Sequence, residues 1–304
     1  MKHDLEEWIT EAIMSNTPVA VVEGYDDIQF YEKIILDLGK EINVEAVENI
    51  EGYGEGSDSV IKFIENLQPK FEERPDNIRY ILGIIDKDVR DYREELPDPK
   101  YIGLLVLKYY SQESHYVTRE NAIDLILKLT SVSSKCLNDK IKTEIVKDLT
   151  ENDFKDLYYF SLEALKNACD ANYESVISYS DSADKIFATN NKPRLLQQIN
   201  LKKSDLDEFA KNKNIEFKDL RYIAKGKWIL NVFARYLINK IPQIQEQCGV
   251  TEGITCNFCS IGNNAKCMWR MKNKFSHSHI PTLISNFLID SEINYIKDRL
   301  RRLA

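Results

Sequence analysis

The chain has 304 residues, 43% of them hydrophobic and 30% charged, proportions of a folded globular protein that exclude a disordered chain. With only 11 glycines and 8 prolines it is neither collagen-like nor of low complexity, and no apolar run nears the ~20 residues a membrane helix needs, so no membrane association is expected. The net charge of −8 hides an asymmetry: residues 1–110 carry 25 acidic and 12 basic side chains, whereas residues 111–304 carry 24 and 29.

The first residues, through Trp8, are acidic and lack the apolar core of a signal peptide, which predicts a cytoplasmic protein. Leu5, Trp8, Ile9, Ala12 and Ile13 recur at helical spacing and predict a helix over 4–15. The apolar run 19–22 has the length and composition of a buried parallel strand. A helix over 27–38, stopped by Gly39, and a strand over 42–47 follow. Gly52, Gly54 and Gly56 mark a loop, after which Ser57 or Asp58 caps a helix to Leu67. Runs at 78–85 and 102–107 are two further strands. Strands alternating with helices predict an α/β domain with a mainly parallel sheet over 1–117. Residues 118–304 read as mostly α-helical, with helices at 119–130, 139–149, 153–169, 204–212 and 226–241 and loops around 170–200 and 249–280. The stretch 185–240 holds 13 basic and 5 acidic residues, a composition suited to a polyanion.

Ligands of open parallel sheets bind beyond the carboxyl ends of the strands, and here the strands end in acid. Glu23-Gly-Tyr-Asp-Asp27 follows the first, Asp86-Lys-Asp88 the third, and Ser111-Gln-Glu113 comes soon after the fourth. Carboxylates gathered in one crevice call for a hard divalent cation, Mg²⁺ or Mn²⁺. The order strand, Glu-Gly-x-x-Asp, helix, strand, Gly-rich loop, helix, strand, Asp-x-Asp resembles the Toprim domain over about residues 17–115. It is most similar to the overcoming-lysogenization-defect branch of nucleases. Asp91 stands where many Toprim domains carry Gly, which fits that branch rather than primases or topoisomerases. The resemblance implies two divalent metals held by Glu23, Asp27, Asp86, Asp88, Ser111 and Glu113, with Glu23, Asp86 and Asp88 catalytic. It also implies a lysine from a late Gly-Lys pair, matched by Gly226-Lys227.

No Gly-x4-Gly-Lys-Ser/Thr is present, so any ATPase must be a separate chain. A Toprim chain of this length with a helical second half resembles the AriB-type effectors of the PARIS anti-phage defence system. That resemblance implies a nuclease attacking nucleic acid, tRNA above all, under the control of an ABC-type ATPase and active as a homodimer. The alternatives are a non-catalytic Toprim subunit of an ATPase complex and a primase-like polymerase.

Cys256-x2-Cys259-x7-Cys267-x9-His277-x-His279 suggests a structural zinc site over 256–279, with the three cysteines and one histidine as ligands. Lys266, Arg270, Lys272 and Lys274 beside Trp269 and Phe275 suit RNA, or else form the wet side of a helix whose aromatics are core. His115 reads as a hydrogen-bonded residue at a strand end, with a role as base or ligand the second choice.

Overall fold

The computed structural model describes residues 5–287 and 289–304. The chain forms two compact units, Met1–Gln112 with Asp290–Ala304, and Glu113–Ile289.

The first unit is an α/β sandwich. In chain order it contains α1 (Leu5–Ser15), β1 (Val19–Val22), α2 (Tyr25–Leu38), β2 (Asn43–Ala46), α3 (Ser57–Glu73), β3 (Ile81–Ile85) and β4 (Leu104–Val106). The strands form one parallel sheet in the order β2-β1-β3-β4, with Val19 opposite both Asn43 and Ile81 and Gly83 opposite Leu104. Every residue of β1 and β3 is buried, which is why both read as unbroken apolar runs rather than alternating ones. Val19, Val21, Ile81 and Ile85 meet α1 and α3 in one core, and α2 packs on β1 and β2. The approach of α3 to β3 requires Gly83: a Cβ there would lie 2.6 Å from Ile64 Cγ1.

The second unit is helical: α4 (Arg119–Leu129), α5 (Asp139–Val146), α6 (Asp153–Cys169), α7 (Ala183–Phe187), α8 (Lys192–Leu201), α9 (Lys203–Asn212), α10 (Leu220–Ile223), α11 (Gly226–Gln247) and α12 (Ile280–Ile284). The expected loop at 170–200 therefore contains α7 and most of α8, with Leu195 and Ile199 turned into the core. The buried Lys240 of α11 pairs with Glu144 at 2.9 Å and Asp148 at 2.8 Å. Among the described residues no helix is long and apolar enough to cross a membrane.

Besides shifts of a few residues, such as β3 starting at Ile81 rather than at residue 78, three departures from the sequence expectation stand out. Helix α3 runs past Pro69 to Glu73, and α11 runs past Pro242 to Gln247. Proline removes one backbone N–H from a helix, but Phe71 and Ile244 beyond these prolines are buried, and that packing carries each helix onward. The third departure is α13 (Asp290–Arg301), which belongs with the sheet rather than the helical region. Its Lys297 pairs with Asp37 of α2 and, at 2.7 Å, with Asp290. Beside it the Lys108 N–H donates to the Tyr295 hydroxyl at 2.9 Å, and the Ala304 N–H donates to the Arg79 carbonyl at 2.8 Å.

Candidate functional site

The strand order reverses between β1 and β3: the chain leaves β1 toward β2 on one side, and β3 then pairs on the other. Such a switch point opens a crevice beyond the carboxyl ends of the two strands. Glu23 directly follows β1 and Asp86 directly follows β3, so the crevice has an acid on each lip. The Asp86 N–H donates to Glu23 Oε1 at 2.7 Å, joining them. The loop before α3 closes on the same point, the Gly56 N–H donating to the Glu23 carbonyl at 2.9 Å. Gly56 holds φ 95° there, a left-handed conformation that a side chain resists.

Asp27 comes from the first turn of α2, and Gln112 ties it in. The Gln112 side-chain amide donates to Asp27 Oδ1 at 2.8 Å while its backbone N–H donates to Asp86 Oδ1 at 3.2 Å. Asp88 adopts φ 50°, an uncommon conformation that Asp tolerates better than most residues, and its N–H is held by the Tyr110 carbonyl at 2.8 Å. Electrostatics link the group further. Burial lifts the Glu23 carboxyl to about 7, and the charges of Asp88 and Asp27 add to this against the Asp86 N–H and Arg90, which pull it down. Burial also pushes up the hydroxyl of Tyr31, helped by the charges of Asp86 and Asp27.

Glu23, Asp27 and Asp86 are therefore linked by hydrogen bonds at the strand ends, and Asp88 joins them through its charge. Ser111 is buried next to Gln112. Glu113 opens the second unit in the short turn Gln112–Tyr116, where His115 is buried. Lys227 is exposed in the first turn of α11, also in the second unit. Sequence reasoning passed over Gln112, although it sits at the middle position of the Ser111-x-Glu113 motif. It also passed over Arg90, which follows Asp88 by two residues. Arg90 donates to Ser57 Oγ at 2.6 Å and pairs with Asp58 at 2.7 Å, while its buried Nε finds no partner among the described residues. Arg90 and Arg93 line an open cleft together with Asp88.

A second cluster lies in the helical unit. The sulfurs of Cys248, Cys256, Cys259 and Cys267 lie within 4.8 Å of one another, and all four residues are buried. This corrects the expected ligand set: the fourth member is Cys248, and His277 and His279 lie outside the group. His279 instead accepts at Nδ1 from the Ser276 N–H at 3.0 Å. The reason is the length of α11, which passes Pro242 and delivers Cys248 to the cluster as its C-cap. Burial opposes ionising the Cys256 thiol, but the N–H groups of Met268, Cys259 and Phe258 outweigh it and draw the thiol below its ordinary value. The neighbouring basic segment is not a helix. It is irregular, with Trp269 fully buried and Lys266, Arg270, Lys272 and Lys274 exposed, so that indole is core and offers no stacking surface.

No protein-family model matches the chain, and no curated protein matches it either.

Proposed function

We propose that the chain is a divalent-metal-dependent nuclease of the Toprim type, with Glu23, Asp27, Asp86 and Asp88 holding Mg²⁺ or Mn²⁺. The observation that carries this reading is the state of Glu23: a carboxyl at a sheet switch point, joined to the Asp86 backbone and held near 7 by burial and by two flanking acids. That charge balance is short of a cation, and oxygen-only donors favour a hard one. A divalent ion bound there would stabilise the negative charge that develops on phosphoryl oxygens during phosphodiester hydrolysis.

The chain's own residues orient the acids. Asp86 fixes the Glu23 carboxylate through its N–H, and Gln112 fixes Asp27 and Asp86. Arg90 and Arg93, which line the same cleft as Asp88, offer cationic side chains to a substrate phosphate. RNA, and tRNA in particular, is the proposed substrate, with the basic excess of 185–240 in support. The separate ABC-type ATPase, the homodimer and the anti-phage setting rest on the motif resemblance. Zinc would belong to the four-cysteine cluster and take no part in cleavage.

The test is incubation of purified protein with tRNA and with DNA, in Mg²⁺, Mn²⁺ or EDTA. Wild-type protein should cut in metal and not in EDTA, and Glu23→Ala should fall to background while keeping its circular-dichroism spectrum. Full activity of Glu23→Ala, or cutting in EDTA, would remove the proposal. Metal binding without any cutting would favour the non-catalytic subunit instead.

A further inference from the structure

We propose that Cys248, Cys256, Cys259 and Cys267 bind one zinc ion as a closed structural centre that ties residues 256–267 back to the end of α11. This does not depend on the nuclease reading, since all four ligands come from the helical unit.

Four thiolates bound to zinc at about 2.3 Å lie about 3.8 Å apart. The four buried sulfurs, all within 4.8 Å of one another, need only a small inward adjustment to reach that arrangement. The spacing is symmetrical: Cys-x7-Cys-x2-Cys-x7-Cys, with the Cys256–Cys259 pair at its centre. The pair sits in a tight turn, the Ser260 N–H donating to the Cys256 carbonyl at 3.0 Å and the Asn263 N–H to the Phe258 carbonyl at 2.9 Å. Backbone donors also face sulfur. The Cys256 N–H points to Cys248 Sγ at 3.2 Å and the Met268 N–H to Cys256 Sγ at 3.4 Å, contacts that orient metal-bound thiolates and spread their charge.

Gly249 makes the return from α11 feasible. It holds φ 85°, and a Cβ there would stand 3.0 Å from Cys259 Cβ. Soft sulfur donors select zinc or iron over Mg²⁺ or Mn²⁺, and a complete buried set of four leaves no open position for substrate, the mark of a structural site.

The segment it closes has little regular structure of its own. Beyond the cluster it is attached through the Ser131 N–H to the Met268 carbonyl at 3.0 Å, the Lys272 N–H to the Leu129 carbonyl at 2.9 Å, and Asn138 Nδ2 to the Gly253 carbonyl at 2.8 Å. Thr130 and Met271 add an isolated antiparallel bridge. The zinc centre thus fixes the strip that presents Lys266, Arg270, Lys272 and Lys274 to solvent.

The test uses the full chain, purified without chelator, with zinc and iron measured by mass spectrometry. Wild-type protein and the His277→Ala/His279→Ala double variant should each hold one equivalent of zinc. Cys248→Ser should hold less than about a tenth of that. Because a variant that unfolds would also lose metal, wild-type apoprotein is titrated with Co²⁺ as well. It should develop the visible bands of tetrahedral cobalt, with charge-transfer intensity of four thiolates, and lose them on adding zinc. Zinc retained in Cys248→Ser but lost in the histidine variant would overturn the ligand set, and iron in place of zinc would overturn the metal. Apoprotein that takes up no Co²⁺ would overturn the site.

Discussion

In the proposed cation site, Glu23 has to be buried enough to feel a low dielectric and still ionise when a cation arrives. Its carboxyl is lifted from an ordinary 4.5 to about 7, first by burial, so in the metal-free protein it stays protonated through a range where the unfolded chain has released that proton. A raised acid stabilises the fold fully below the unfolded value and loses that contribution as pH rises through the folded one. Metal-free wild-type protein should therefore lose stability between about pH 4.5 and 7, by up to ~3 kcal/mol at ~1.4 kcal/mol per unit. Glu23→Gln, which keeps an oxygen to accept the Asp86 N–H, should match wild type at pH 5 and exceed it at pH 8 in denaturant unfolding. Equal pH profiles for the two would show that Glu23 is not buried as described. The same proton competes with the cation, so apparent Mg²⁺ or Mn²⁺ affinity should rise with pH and level off above about 7.

At the scale of elements, the site depends on how closely α3 sits on β3. Gly83 lies inside the van der Waals reach of Ile64 and Val60, and Gly83→Ala should destabilise the protein by about 1–3 kcal/mol, the usual cost of overpacking, read as a lower denaturant midpoint. The strand ends were legible in the sequence because β1 and β3 are buried on both faces and stop at acids, a pattern that needs no knowledge of neighbours. The helix ends were less legible. Pro69 and Pro242 weaken the local signal, and only the burial of Phe71 and Ile244, a tertiary effect, extends those helices. Cys248 was missed for that reason, although its seven-residue spacing to Cys256 repeats the spacing of Cys259 to Cys267. Gln112 was missed because its role is split between backbone and side chain, and neither half shows as a residue-type pattern. The C-terminal helix α13 is amphipathic in sequence, but its attachment to α2 through Lys297 depends on pairing across some 260 residues.

For the whole molecule, the charge asymmetry along the sequence maps onto the division into units. The acid-rich first 110 residues supply the sheet and the carboxylate crevice, and the basic excess of 185–240 lies in the helical unit. The two metal readings separate in the same way: oxygen donors in the first unit for a hard catalytic cation, sulfur donors in the second for a structural one. The most direct measurement of the central claim is calorimetric titration of Mn²⁺ into the zinc-loaded full chain and its Glu23→Gln and Asp86→Asn variants. Wild-type protein should bind Mn²⁺, and each variant should bind at least about tenfold more weakly, as loss of a ligand demands. Equal affinity in all three, or no binding by wild type even at millimolar metal, would contradict the carboxylate crevice as a divalent-cation site.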